Sequence, residues 1–181
     1  NDWHTALLPL YLRSLYGWDA LFGQTKTVLT IHNLAYQGMF PSSVLDDLGL
    51  SSVASLLHQD HLQQGYISFL ESGILHADAV TAVSKTYARQ IQEPDHGMGL
   101  DGLLRARSDT VVGIVNGVDY GDWNPATDPK IPHHFAVGDM DGKAKMKAAL
   151  LNRFQLPHDP RAPVFGVVSR LTAQKGFELF A

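Results

Sequence analysis

The sequence contains no cysteine, which excludes disulfides, thiolate nucleophiles and cysteine-ligated zinc and suits a reducing cytoplasm. Charged residues make up only 18% of its 181 positions and the formal net charge is -4, which excludes a bulk basic surface for nucleic acid but leaves room for a local basic site. No apolar run approaches the roughly 18 residues that cross a bilayer. The opening Asn1-Asp2-Trp3-His4 lacks the basic segment that begins a secretory leader. A cytoplasmic protein without a membrane or nucleic-acid partner is therefore expected.

What the chain does contain is core-forming material. It is 45% hydrophobic, with 3 Trp, 6 Tyr and 8 Phe, so a disordered chain is ruled out. Both ends read as interior. There is no initiator Met, the first residues run straight into an amphipathic pattern, and Lys175 to Ala181 reads as the first turns of a helix. The expectation is an internal segment of something longer.

Leu7, Leu8, Tyr11, Leu12 and Leu15 recur at helical spacing, with Pro9 tightening or bending the first turn. Thr27-Val28-Leu29-Thr30-Ile31 reads as a strand ending at His32-Asn33. Residues 34–63 mix short helical patterns with turns at Gly38, Pro41 and Gly49, and a helix is expected over about 65–76, with Ile67, Leu70, Ile74 and Leu75 on one face. Ala79 to Val83 is a second strand, followed by Ser84 in an N-cap position and a helix that stops before Pro94. Val111 to Val115 is a third strand, leading to the turn Asn116-Gly117-Val118-Asp119. A Pro-, Gly- and Asp-rich connector, a helix over about 143–154 and a fourth strand, Val164 to Val168, complete the series. Short apolar strands alternating with helices indicate an α/β fold with a parallel sheet covered on both faces. Ligands of such sheets bind outside the carboxyl ends of the strands. His32-Asn33, Ser84, Asn116 and Arg170 all lie just past an expected strand end.

Several motifs fail on context. Gly97-Met98-Gly99-Leu100-Asp101-Gly102 has the glycine spacing of a dinucleotide fingerprint, but Gln92 to His96 before it, with Pro94, cannot be a central strand, so it reads as a loop ending at a helix start. Gly138 to Lys143 has its glycines one residue too close for a phosphate loop, and no Ser or Thr follows the Lys. His58-x-x-His61 and His133-His134 lack a third ligand at a recognisable spacing and read as surface histidines. Asn116-Gly117 fits a bare turn, since both residues tolerate positive φ.

Arg170-Leu171-Thr172-Ala173-Gln174-Lys175-Gly176 sets two cations at an expected strand end and helix start, where free N–H groups already favour anions. Arg supplies a forked contact to phosphate oxygens and Lys a compact point charge, so phosphate binding stands beside solvated surface charge as a reading. His32 fits either a hydrogen-bonded packing histidine or a polar group lining a cleft.

Together these segments resemble the bacterial glycogen synthase and plant starch synthase family. The resemblance rests on Asp2-Trp3-His4-Thr5-Ala6, Thr30-Ile31-His32-Asn33-Leu34-Ala35-Tyr36-Gln37-Gly38, Ala77 to Ser84 with Tyr87-Ala88, and Gly97 to Leu104. It continues in Asn116-Gly117-Val118-Asp119 with Trp123 and Pro125, and in Ser169 to Gly176. It implies a retaining glycosyltransferase of two Rossmann-like domains that uses ADP-glucose to extend an α-1,4-glucan, with no cofactor and no metal. By it, residues 1–112 would be the C-terminal part of the acceptor-side domain and 113–181 the start of the nucleotide-sugar-side domain. Arg170 and Lys175 would hold the diphosphate, His32 would stand close to the transferred glucose and Asn116 would bond that sugar, these being the expected catalytic and substrate-binding residues. Asp119 would brace a turn. The family's Lys- and Gly-rich donor element would lie before residue 1 and its acidic motif beyond Ala181, so the segment alone is expected to be inactive. Ser169 stands where broader relatives often have Gly. A UDP-glucose-dependent glycosyltransferase and a non-catalytic carbohydrate-binding module are the competing expectations.

Overall fold

The computed structural model describes residues 1–159 and 161–180. The chain forms two compact units, Asn1–Gly117 and Val118–Ala181, each treated by itself below.

The first unit is built on a three-stranded parallel sheet of β1 (Val28–Ile31), β4 (Ala79–Ala82) and β5 (Val111–Gly113), with β4 in the centre. The register pairs Leu29 with Val80, Ile31 with Ala82, and Val80 with Val111. Because alternate side chains of a strand point to opposite faces, Leu29, Ile31, Val80 and Ala82 are buried while Thr30 and Thr81 are only half-buried. The two threonines meet instead through a 2.9 Å bond from Thr81 Oγ1 to Thr30 Oγ1. The sheet is therefore covered closely on one face, not on both as expected from its apolar runs. One core cluster joins that face to Leu70 and Ile74 of α3 (Phe69–His76), Ala88 of α4 (Lys85–Gln90) and Leu104 of α5 (Asp101–Ala106).

Local chemistry sets the helix boundaries. Ser84 caps α4 by accepting from Tyr87 N, as its position suggests, and Ser68 caps α3 by accepting from Glu71 N. Pro9 lies in the first turn of α1 (Leu8–Arg13), where its missing N–H goes unneeded. At the other end of α3, Arg107 donates to the carbonyls of Ala77 at 2.8 Å and Leu75 at 3.2 Å, groups that have no helical partner. Gly113 admits no side chain, since a Cβ there would lie 2.4 Å from Lys85 Cα; β5 thus runs directly beneath the start of α4.

A second cluster, of Leu7, Leu10, Leu45, Leu50, Leu57 and Ile67, lies around a two-stranded antiparallel sheet of β2 (Met39–Pro41) and β3 (Tyr66–Ser68). Here the helix expected over about 65–76 is corrected: Tyr66–Ser68 pair with β2, Ile67 opposite Phe40, and helix begins only at Phe69. The short helix α2 (Gln59–Gln63) precedes β3.

The second unit contains α6 (Asp141–Arg153), two single-turn 3₁₀ segments and extended chain. The fourth strand expected at Val164 to Val168 does not form. Those residues have no pairing partner among the described residues of this unit, and Phe165 and Val168 stay exposed. A hollow opens beside this stretch, lined by Trp123, Ile131, Phe135, Met146, Leu150 and Val164. None of His32, Asn116, Arg170 and Lys175 lines it. The first unit ends at Gly117, four residues past β5.

Asp78 joins the amino ends of β1 and β4. Its carboxylate accepts from Thr27 N at 2.8 Å and Thr27 Oγ1 at 3.1 Å, with Arg13 at 3.0 Å and Lys26 at 3.3 Å. The Thr27 amide, above all, holds its pKa down from 3.8 to about 2, against the opposing effect of burial. A carboxylate whose folded pKa is depressed adds stability above its ordinary pKa and loses it as pH falls toward the folded value. Asp78→Asn should therefore lower unfolding free energy at neutral pH by about 1–2 kcal/mol, and the gap should close between about pH 4 and pH 2, measured by urea denaturation across that range.

Candidate functional site

Parallel pairing brings the carboxyl ends of β1, β4 and β5 to one edge of the first unit. His32 follows β1, Ser84 stands two residues past β4, and Asn116 three residues past β5. With β4 between them, β1 and β5 are about 10 Å apart across the sheet. His32 and Asn116 are both exposed at this edge.

The backbone around His32 is held by a residue distant in sequence. Asp2 adopts φ 50° and ψ -167°, a conformation that strains a non-glycine residue. Its amide donates to Thr30 O at 2.8 Å, and its Oδ1 accepts from His32 N at 2.7 Å and Asn33 N at 3.4 Å. His32 Nε2 lies 3.0 Å from Asn1 Oδ1, which accepts in the tautomer with its proton on Nε2; Nδ1 is then a free acceptor. Asn33 Oδ1 accepts from Ala35 N at 3.1 Å, folding the chain back in a local Asx turn.

The remainder of this loop is braced from three sides. Leu34 N donates to the Tyr87 hydroxyl at 2.9 Å. Gln37 Nε2 donates to Met98 O at 2.9 Å, so the glycine-rich loop rejected as a dinucleotide site instead supports the loop after β1. The carbonyls of Gly38 and Gln37 accept from Phe69 N and Leu70 N at the start of α3. Gly38 has φ +63°, and a Cβ there would lie 2.5 Å from the Trp3 ring, so both its conformation and its space require glycine. Burial pushes the Tyr87 phenol up, with the Leu34 hydrogen bond opposing; its oxygen stays a neutral acceptor.

Arg170 and Lys175 belong to the second unit, so the structure brings His32 to one edge with Asn116 and the two cations to one short segment. Both cations are exposed. Lys175 ends the 3₁₀ segment Ala173–Lys175 instead of opening a helix, and Gly176, at φ 70°, closes that turn. A lysine in the last turn is electrostatically at ease with the carbonyl end of its segment. Asp119 braces a turn, its Oδ1 accepting from Gly121 N at 2.8 Å.

Three contributors were not evident from the sequence. Asp2 and Tyr87 act through backbone amides, and no spacing rule announces such pairings across 30 and 53 positions. The third is Glu71. As read from sequence, His58 and His61 are surface histidines lacking a third ligand. In the fold both are half-buried, and His61 Nδ1 lies 2.7 Å from the carboxylate of buried Glu71.

A sequence profile of the starch synthase catalytic domain matches residues 1–106. Glycogen synthase of Myxococcus xanthus is 48% identical over 179 residues, covering 99% of this chain and 37% of the relative. Glycogen synthase of Anaeromyxobacter dehalogenans is 47% identical over 182 residues, covering 100% of this chain and 38% of the relative. The catalytic domain of Starch Synthase IV from Arabidopsis thaliana, bound to ADP and acarbose, superposes with a TM-score of 0.87 at 34% identity, over 99% of this chain and 37% of that one. The chain thus spans a little over a third of the length of the relatives it matches. Among the described residues, no helix is long and apolar enough to cross a membrane.

The Tyr87 brace can be tested directly. Tyr87→Phe would leave the amide of Leu34, a residue 1% exposed, without an acceptor. The expected loss is about 1–3 kcal/mol of unfolding free energy by urea denaturation, with faster hydrogen exchange at Leu34 N.

Proposed function

The chain belongs to the starch synthase catalytic domain family, and on that premise we propose that the protein containing it transfers glucose from ADP-glucose to the nonreducing 4-hydroxyl of an α-1,4-glucan, with retention. The observation that carries this reading is the strand-end edge itself: a histidine clasped by Asp2 on the same sheet edge as Asn116, in a fold close to that of a synthase bound to ADP and acarbose. In this reading the first unit is the C-terminal part of an acceptor-side Rossmann-like domain, and the second begins the domain that takes the nucleotide sugar. The reaction belongs in the cytoplasm, a compartment that suits a cysteine-free chain.

The chemistry follows from charge. Breaking the bond between the anomeric carbon and the diphosphate leaves extra negative charge on ADP and positive character on the sugar ring, while the acceptor 4-hydroxyl oxygen bonds to the anomeric carbon and its proton passes to the departing diphosphate. Arg170 and Lys175 hold the diphosphate and stabilise it as a leaving group. His32 lies close to the transferred glucose, and Asn116 hydrogen-bonds that sugar. Two cations fixed on a departing diphosphate stabilise the transition state more than the ground state.

Charge-assisted hydrogen bonds contribute about 1.5–3 kcal/mol each, so Lys175→Ala in the full-length protein should lower kcat roughly 10²-fold in a glucan-extension assay with ADP-glucose. Unchanged turnover in that variant would remove the proposed leaving-group role. The 181-residue chain alone should show no extension of a glucan primer. Measurable extension would mean that the remaining length of the relatives is not needed for transfer.

A further inference from the structure

The strand-end edge leaves one cluster of ligating side chains unexplained. His58 is the residue before α2 and His61 lies within it, so the i, i+3 spacing sets both imidazoles on one side of the helix, their ring centroids 4.5 Å apart. Glu71 projects from the first turn of α3, 4% exposed, its backbone fixed by the Ser68 cap. Its Oε2 lies 2.7 Å from His61 Nδ1 and its Oε1 3.9 Å from His58 Nε2. One donor atom from each of the three residues falls within 4.8 Å of the others.

Two further observations point to something that fills this space. His58 Nδ1 and Ser72 Oγ are buried without a hydrogen-bond partner, and both residues line the same small cavity as His61 and Glu71. Ser72 is 1% exposed. An orphaned buried polar atom costs about as much as a lost hydrogen bond, and a buried carboxylate facing only imidazoles has no permanent positive partner. Buried Leu57 and Ile67 and the capping residue Ser68 complete the walls, and the Tyr66 ring lies 4.6 Å from that of His61.

We propose that His58, His61 and Glu71 form a binding site for a divalent transition-metal ion of the zinc class. Two imidazoles and one carboxylate are a borderline-soft donor set that suits zinc over magnesium or calcium, which take oxygen shells. Zinc bonds of about 2.0–2.2 Å set ligand atoms about 3.3 Å apart, which requires the His61–Glu71 contact to open by about half an ångström and His58 to close on Glu71 by a similar amount. A fourth position would take water, with Ser72 Oγ as its partner. The ion would tie α2 to the first turn of α3, the turn whose amides hold the Gln37 and Gly38 carbonyls of the loop after β1. The site is thus structural.

The test is isothermal titration of the intact, chelator-treated protein with zinc chloride, paired with melting curves with and without the metal. The expected result is one saturable site absent from Glu71→Gln and His58→Asn, each weakening binding at least about 10-fold, with a zinc-dependent rise in Tm in the parent alone. His133→Ala with His134→Ala should leave the site intact. His58 is half-exposed, so His58→Asn keeps the test open should Glu71→Gln fail to fold. Absence of saturable binding, or binding equal in the parent and both ligand variants, would overturn the proposal and leave a His–Glu hydrogen-bonded pair.

Discussion

Parallel pairing of β4 with β1 on one side and β5 on the other is the constraint on which the first unit depends. A parallel ladder sends every strand's carboxyl end the same way, so residues that follow three strands far apart in sequence arrive at one edge. That one fact converts His32, Ser84 and Asn116 from isolated polar residues into neighbours along a rim. Everything else in the unit secures the pairing or the loops leaving it. Asp78 joins the amino ends of β1 and β4, the buried faces of Leu29, Ile31, Val80 and Ala82 fix register, and Gly113 lets α4 start directly over β5. A one-residue slip of β4 would turn Val80 outward and Thr81 into the core.

The loop after β1 is held in place without its histidine being packed away. His32 is exposed, yet its backbone is held by Asp2, and the five residues after it by Tyr87, Met98 and the amides that open α3. The side chain stays accessible while rigidity is supplied by its main chain. The positive φ of Asp2 and of Gly38 brackets that loop, and strain concentrated at a functional segment is a common arrangement.

Strand positions were legible where an apolar β-branched run met a turn signal, as at Val28 to Ile31 and Ala79 to Ala82, and Ser84 announced its helix by cap chemistry alone. Tyr66–Ser68 was not legible, because Ile67, Leu70 and Ile74 keep helical spacing across the junction and only pairing with Met39–Pro41 makes the first three residues a strand. Val164 to Val168 failed in the opposite direction: its propensity is that of a strand, but a strand requires a neighbour. Of the site, His32 and Asn116 could be found by their place after strands. Asp2, Tyr87 and Glu71 could not, since each acts through a contact that only the folded chain creates.

The proposed reaction requires the cations near the end of this chain to grip the diphosphate of an activated sugar while His32 attends the sugar itself. A crystal structure of the full-length protein with ADP-glucose measures this most directly. Arg170 and Lys175 are expected within hydrogen-bond distance of the diphosphate oxygens, with His32 and Asn116 against the glucose. A diphosphate held by other residues, with Arg170 and Lys175 facing solvent, would contradict it.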